Sequence, residues 1–127
     1  MEDLKSRQLA KEFGKFAEEL ASREYTSQGY AILERNWRMN KIEIDIIAQK
    51  EDTVVIIEVK ARNGNDQDPL DTVTRDKRKR MIRAADSYLN RLPGNVNYRF
   101  DIFALTGTRE NYTVEIIEDA FLASDLI

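Results

Sequence analysis

The sequence predicts an α/β fold in which helices flank a mixed central sheet, with elements in the order α-β-β-β-α-β-β. Two segments repeat apolar residues at three- and four-residue spacing, as amphipathic helices do, and five shorter segments have the composition and alternation of strands. No linker-like or low-complexity tract interrupts the 127 residues. We therefore expect a single domain over residues 1–127.

The first helix is predicted over residues 4–26, followed by Gly29 as a terminator. Its apolar stripe consists of Leu9, Ala10, Phe13, Ala17, Leu20, Ala21 and Tyr25. The second helix is predicted over 72–91, before the breaker Pro93-Gly94. Its buried side consists of Val73, Met81, Ala84, Ala85, Tyr88 and Leu89.

The strands follow from alternating or continuous apolar residues between turn signals. They are predicted over 30–36, 41–49, 54–61, 98–106 and 111–117. Residues 63–71, "NGNDQDPLD", form the clearest loop because they are rich in Asn, Asp, Gly and Pro. The last ten residues, "EDAFLASDLI", are expected to form a short helix or a turn.

Composition excludes several kinds of chemistry. The chain has no histidine and no cysteine, which excludes Ser-His-Asp and Cys-His catalysis, thiolate metal sites and histidine-bound zinc. Carboxylate oxygens, which suit Mg²⁺ or Mn²⁺, are the remaining candidate metal ligands. If the protein is an enzyme, a divalent metal held by carboxylates is the leading expectation.

The sequence also has features that bear on location. No apolar run approaches the roughly 20 residues that cross a bilayer. Residues 1–13, "MEDLKSRQLAKEF", are charged throughout and lack the apolar region of a signal peptide. We therefore expect a cytoplasmic protein with no membrane partner.

A candidate site lies on the hairpin of 41–49 and 54–61. If Gln49 pairs with Val54 across the short turn, Asp45 lies directly opposite Glu58, with Cβ atoms roughly 5 Å apart. Two carboxylates at that distance repel each other unless a cation lies between them. Lys60, on the face of Glu58, supplies part of that compensation, and a divalent metal would supply more.

Two interpretations of this pattern stay open. The charges can form an ordinary salt bridge on a half-exposed sheet face, where such pairs contribute little. Alternatively, they line the edge of a cleft, since Val54 and Ile56 share the face of Glu58. In either case we expect the opposite face of each strand to stay in the core. That face carries Ile42, Ile44 and Ile46 in the first strand and Val55, Ile57 and Val59 in the second.

The net charge is −3, yet residues 75–83, "RDKRKRMIR", contain six basic residues and one acidic residue, a local charge of +5. Such a cluster on an acidic protein suits a phosphate-bearing partner. The nucleic-acid-binding candidates in or near this run and beside the proposed cleft are Arg38, Arg62, Lys77, Arg78, Arg80 and Arg99.

The pattern of Asp45 on one strand and Glu58-x-Lys60 on the next resembles the PD-(D/E)XK pattern of restriction-endonuclease-like nucleases. More widely, "GYAILERNWR", "EIDIIA", "VIIEVKAR", "VTRDKRKRMIRAADSYL" and "RFDIFAL" resemble the YraN-type family of small bacterial proteins, which is assigned to that superfamily. The resemblance implies a restriction-endonuclease-like fold and Mg²⁺ or Mn²⁺ as cofactor. It also implies a site of Asp45, Glu58 and Glu18 as metal ligands, with Lys60 beside them.

The chain departs from the family pattern at one place. The family commonly has Gly-Glu-Ile-Asp where this sequence has Ile42-Glu43-Ile44-Asp45. The acidic positions are kept, while Ile42 replaces a residue often used where a backbone approaches closely. Glu43 shares the face of Asp45 and is either an additional ligand or a supporting residue.

Three functions are compared. The first is a nuclease that hydrolyses phosphodiester bonds, for which the resemblance implies nucleic acid, chiefly branched DNA, as substrate and a homodimer as assembly. The second is a non-catalytic nucleic-acid-binding or adaptor module that retains the nuclease fold. A purely structural interaction protein ranks last because it leaves the paired acidic residues unexplained.

Overall fold

The computed structural model describes residues 2–64 and 67–126 and confirms the expected order of elements. In chain order these are α1 (Glu2–Ser27), β1 (Ala31–Met39), β2 (Ile42–Lys50), β3 (Thr53–Arg62), α2 (Arg75–Leu89), β4 (Asn97–Gly107) and β5 (Tyr112–Phe121). Two short 3-10 helices cover Pro69–Thr72 and Ala123–Leu126. No helix in the described part of the chain is long and apolar enough to span a membrane.

Several boundaries differ from the sequence prediction, among them the end of β1, which continues to Met39. α2 begins at Arg75 because Thr74 caps the helix, its hydroxyl accepting a hydrogen bond from the Lys77 N–H at 3.2 Å. β5 continues to Phe121, so only the final residues form a 3-10 helix. Residues 65 and 66 of the predicted loop lie outside the described residues, and the loop ends in the 3-10 helix Pro69–Thr72.

The strands form one five-stranded sheet in the order β1-β2-β3-β4-β5. All neighbours are antiparallel except β3 and β4, which run parallel. A parallel pair needs a crossover connection, and α2 lies within the one that joins β3 to β4. The sheet is therefore mixed, as predicted.

The two helices pack on opposite faces of the sheet, which gives two apolar clusters. The α1 side contains Ala21, Tyr25, Ile46, Ala48, Val55, Ile57 and Phe103. The α2 side contains Ile44, Ile47, Val54, Ile56, Val73, Met81, Ala84, Ala85, Tyr88, Phe100, Ile102 and Phe121.

In β1 and β2, the alternation of side chains between the two faces of the sheet changes at the same place, which corrects one sequence prediction. Ile44 belongs to the α2-side cluster, whereas Ile46 belongs to the α1-side cluster, so these two residues do not share a face as expected. Between their β1 partners lies Asn36, with a φ of 52°. Asparagine adopts this left-handed conformation more readily than most residues. The kink changes which faces the following side chains occupy, and Asp45 lies within it.

A buried polar network joins α1 to β4, away from this kink. Asp101, which is 0% exposed, accepts hydrogen bonds from the Tyr25 hydroxyl at 2.6 Å, from the Arg99 Nε at 3.0 Å and from the Asp119 N–H at 3.0 Å. Arg99 also donates to the Tyr30 hydroxyl at 2.9 Å. Arg99, which is half-buried, therefore belongs to this network and does not flank the proposed cleft as the sequence suggested.

Tyr25→Phe removes one donor to a fully buried carboxylate and leaves the ring in place. We expect it to lower the free energy of unfolding by about 1–2 kcal/mol. Tyr98→Phe is the matched control because Tyr98 is 46% exposed. Urea unfolding at pH 7 measures both variants. Equal stabilities would contradict the assignment of Asp101 as the centre of the network.

Candidate functional site

The carboxyl groups of Asp45 and Glu58 meet where β2 separates from β3. The predicted pairing of Gln49 with Val54 is confirmed and continues to Ile46 and Ile57, where the ladder ends. Beyond it, Asp45 Oδ2 accepts a hydrogen bond from the Val59 N–H at 2.8 Å instead of facing a strand partner. The sequence predicted the meeting of the two carboxylates correctly but not the break in pairing that accommodates them.

Burial controls the electrostatics of this pair. Glu58 is only 4% exposed, and its carboxyl group lies close enough to that of Asp45 to influence its ionisation. Burial, followed by the proximity of the Glu58 carboxyl group and its negative charge, raises the pKa of Asp45 to about 8, against the opposing effect of the Val59 N–H. Two carboxylates are thus held where at least one proton or cation is needed to balance them.

Two lysines supply positive charge on the α2 side. Lys77, in the first turn of α2, forms an ion pair with Glu58. Burial opposes its charge, but the attraction and hydrogen bond of Glu58 outweigh that effect, so the pKa of Lys77 is raised. Burial, with Lys77 nearby, lowers the pKa of Lys60 despite the attraction of Glu58. Lys60 is therefore the more readily deprotonated of the two.

Glu18 lies on the other side of Asp45. With the Asn36 amide turned to donate, its nitrogen lies 2.9 Å from Glu18 Oε1 and 3.1 Å from Glu43 Oε1. Burial raises the pKa of Glu18, Arg35 opposes this shift, and Glu43 adds to it. Asn36 thus bridges the predicted helix-1 acid and Glu43. Sequence reasoning missed this bridge, although an asparagine inside a strand was a visible signal.

Two clefts meet at Asp45. The α1-side cleft, of about 260 Å³, is lined by Lys11, Gly14, Lys15, Glu18, Asp45, Val59 and Ala61. The α2-side cleft, of about 300 Å³, is lined by Lys41, Ile42, Glu43, Asp45, Glu58, Lys77, Arg80 and Met81. Because Asp45 lines both, its carboxylate can be approached from either face of the sheet, whereas Glu58 lines only the α2-side cleft.

The arginines that were predicted to bind nucleic acid lie in different environments. Arg80 lines the α2-side cleft, and Arg38 is exposed, 3.7 Å from Glu43. Arg62 donates to Thr106 Oγ1 at 3.1 Å and to the Gln67 carbonyl. Arg78 donates to two backbone carbonyls, those of Val73 and Leu70 at 2.8 Å each, and lies over the Phe121 ring. Arg78 therefore holds the start of α2 in place.

The donor set can be tested against the divalent metal that the resemblance implies. Within residues 2–64 and 67–126, no three acidic side chains converge to form a complete metal cage. Mg²⁺, however, usually binds through one or two carboxylates, with waters and substrate phosphates completing its shell. Asp45 and Glu58 fit that kind of site because they are hard donors whose repulsion a cation relieves, whereas Glu18 contacts Asn36.

The comparison with known proteins assigns the family. The model of the uncharacterised protein family UPF0102 matches residues 17–105. The chain belongs to this family. A UPF0102 protein of Phocaeicola vulgatus is 41% identical over 111 residues, covering 87% of this chain and 92% of the relative. UPF0102 proteins of Flavobacterium psychrophilum (41% identity; 87% and 93% covered) and Chloroherpeton thalassium (41% identity; 89% and 91% covered) are similar in the same way.

The family match and the site overlap closely. The UPF0102 match includes Glu18, Asp45, Glu58, Lys60 and Lys77. It begins at Ala17, so the first half of α1 and all of β5 lie outside it. The family name describes no activity, and the function must be argued from the site.

Asp45→Asn tests the burial of the carboxylate pair through pH. A carboxyl group with a raised pKa in the folded protein contributes stability below its unfolded pKa and loses it as pH rises through about 8. Asparagine still accepts the Val59 hydrogen bond and carries no charge. We therefore expect Asp45→Asn to exceed the wild type in stability by about 1–3 kcal/mol at pH 9, and by less at pH 5.

Urea unfolding in EDTA at both pH values measures this difference. The exposed Glu115→Gln is the control, and its gap from the wild type should not grow with pH. An Asp45→Asn gap that stays constant between pH 5 and pH 9 would show that the pair is well solvated.

Lys77→Met tests the ion pair to Glu58. It leaves a buried carboxylate with less compensation, so we expect a loss of roughly 1–3 kcal/mol in the free energy of unfolding at pH 7 in EDTA. Adding Glu58→Gln should restore most of that loss because no charge is then left unpaired. Lys79→Met on the same helix serves as the control. Additive effects of the Lys77 and Glu58 substitutions would refute the pairing.

Proposed function

We propose that this UPF0102 protein is a metal-dependent nuclease that hydrolyses phosphodiester bonds in nucleic acid. The observation that carries the proposal is the pairing of the half-buried Asp45 with the buried Glu58 where two clefts meet, with Lys60 and Lys77 beside them. A buried like-charge pair is costly, and an arrangement of this kind is typical of a functional site.

Asp45 and Glu58 are the residues that would hold Mg²⁺ or Mn²⁺. When bound, the divalent ion would supply a Lewis acid for the phosphodiester and for the attacking water. The Val59 N–H fixes one oxygen of Asp45, which orients that carboxylate before any ligand arrives. Lys77 binds Glu58 and limits the rotation of its side chain.

Lys60 is suited to act on the phosphate. Its ammonium can donate a hydrogen bond to a phosphate oxygen and stabilise the negative charge that builds up there during hydrolysis. Because burial lowers its pKa, Lys60 can also exchange a proton more easily than a solvated lysine. The chain has no histidine, so lysine and carboxylate side chains must carry any proton transfer.

A non-catalytic nucleic-acid-binding module is the second candidate. One observation favours it: Lys77 already compensates Glu58, so the folded protein does not require a metal for charge balance. In such a module the carboxylate pair would be a remnant of a nuclease site, and the basic residues would carry the binding.

The two candidates are separated by a cleavage assay. Purified protein with Mg²⁺ or Mn²⁺ is incubated with single-stranded, duplex, flap and four-way-junction DNA and with RNA. We expect cleavage, with a preference for branched DNA following from the family resemblance. Asp45→Asn and Lys60→Ala should each reduce the rate by about 100-fold or more.

Lys5→Met, at an exposed position outside both clefts, is the control for the loss of one lysine. Cleavage that survives both Asp45→Asn and Lys60→Ala would refute the assigned site. Absence of cleavage with every substrate and metal, together with retained binding to nucleic acid, would favour the non-catalytic module.

A further inference from the structure

Gly14 has no structural reason of its own to be a glycine. It lies in the interior of α1, where glycine lowers helix stability relative to alanine. It is not among the glycines with positive φ, and a Cβ built on it would meet no atom within 4 Å. The fold would accept a larger residue here, so the missing side chain leaves open space for something outside this chain.

That open space belongs to the α1-side cleft. Gly14 lies on its wall between Lys11 and Lys15, which are one helical turn apart, with Cβ atoms about 5–6 Å from each other. Neither lysine forms an ion pair or hydrogen bond with any residue in 2–64 or 67–126. The cleft therefore has two positive charges on its wall that form no ion pair, although Glu18, which also lines the cleft, attracts Lys15 electrostatically.

The rest of the cleft has a different character. Val59 and Ala61 from β3 provide small apolar surfaces, and the carboxylates of Glu18 and Asp45 complete the lining. A ligand that fits must be anionic near the lysines, weakly polar along the glycine and the apolar residues, and able to extend to the carboxylates. The sugar-phosphate backbone of a single nucleic acid strand has these properties.

We propose that the α1-side cleft binds the backbone of the substrate strand, with Lys11 and Lys15 contacting its phosphates and Gly14 allowing the strand to lie close against the helix. The choice of nucleic acid as ligand rests on the proposed function. The strand in this cleft leads to Asp45, so the cleft is a positioning site next to the catalytic residues. Lys11, Gly14 and Lys15 lie outside the segment that the family model matches.

Three variants test the cleft. Gly14→Leu fills the space and should weaken binding by about 10-fold or more while the protein stays folded. Gly14→Ala should raise the melting temperature by about 2–5 °C and weaken binding less. Lys11→Ala/Lys15→Ala should weaken binding. It should also reduce the steepness of the plot of log affinity against log salt concentration by about two. The control is Lys5→Ala/Arg23→Ala, which removes two exposed charges from another side of α1.

Binding is measured by fluorescence anisotropy of fluorescein-labelled single-stranded and four-way-junction DNA in EDTA, where no metal-dependent cleavage takes place. Inorganic phosphate is added as a competitor in a separate arm. Selective loss of affinity in the cleft variants supports the proposal. It is overturned by wild-type affinity in those variants, by an equal loss in the control, by no binding of either DNA, or by displacement with equimolar phosphate.

This experiment separates the inference from the proposed function. If the wild type binds DNA through the α1-side cleft but does not cleave it, the nuclease assignment is wrong and the assignment of the cleft as a binding site for the nucleic acid backbone still holds. Cleavage by the wild type with unchanged affinity and rate in Gly14→Leu and Lys11→Ala/Lys15→Ala would remove the backbone site and leave the nuclease.

Discussion

The close approach of two carboxylates, the half-buried Asp45 and the buried Glu58, is the constraint on which the rest of the site depends. Each of them needs a compensating partner, because repulsion between like charges is strong where water is excluded. Asp45 obtains the Val59 N–H, and Glu58 obtains the ammonium of Lys77. The second contact requires α2 to start close to the end of β3, and the Thr74 cap and the Arg78 hydrogen bonds hold its first turn there.

The kink in β1 and β2 makes the pair accessible. In a regular hairpin, Asp45 would face Glu58 on one side of the sheet and would be covered by a single helix. With Asn36 in a left-handed conformation, the alternation changes and the β2–β3 ladder ends early. Asp45 is then open to both sides of the sheet and Glu58 to the α2 side alone, so the two clefts share the Asp45 carboxylate.

Local pattern was enough to predict the elements and the hairpin register, because strand periodicity and the short turn determine both. The pairing of Gln49 with Val54 follows from the turn alone. The partner of Lys77 could not be predicted, because it depends on where a helix crosses the sheet. The placement of Ile44 and Ile46 on opposite faces of the sheet could not be predicted either. A single left-handed residue in β1 changes which face the β2 side chains occupy, while the apolar pattern of β2 stays the same.

The distribution of lysines explains how an acidic chain can be suited to a phosphate ligand. Lys60 and Lys77 lie beside Glu58 and Asp45, so their positive charge partly compensates those carboxylates. Lys11 and Lys15 form no ion pair with the described residues, and although Glu18 attracts Lys15, both ammonium groups can contact a partner. The net charge of −3 is a sum over the whole chain and does not distinguish these two pairs of lysines. For recognition, the important point is that Lys11 and Lys15 line the same cleft as Asp45. In the proposed complex, a strand whose phosphates contact the two lysines reaches the Asp45 carboxylate along one surface.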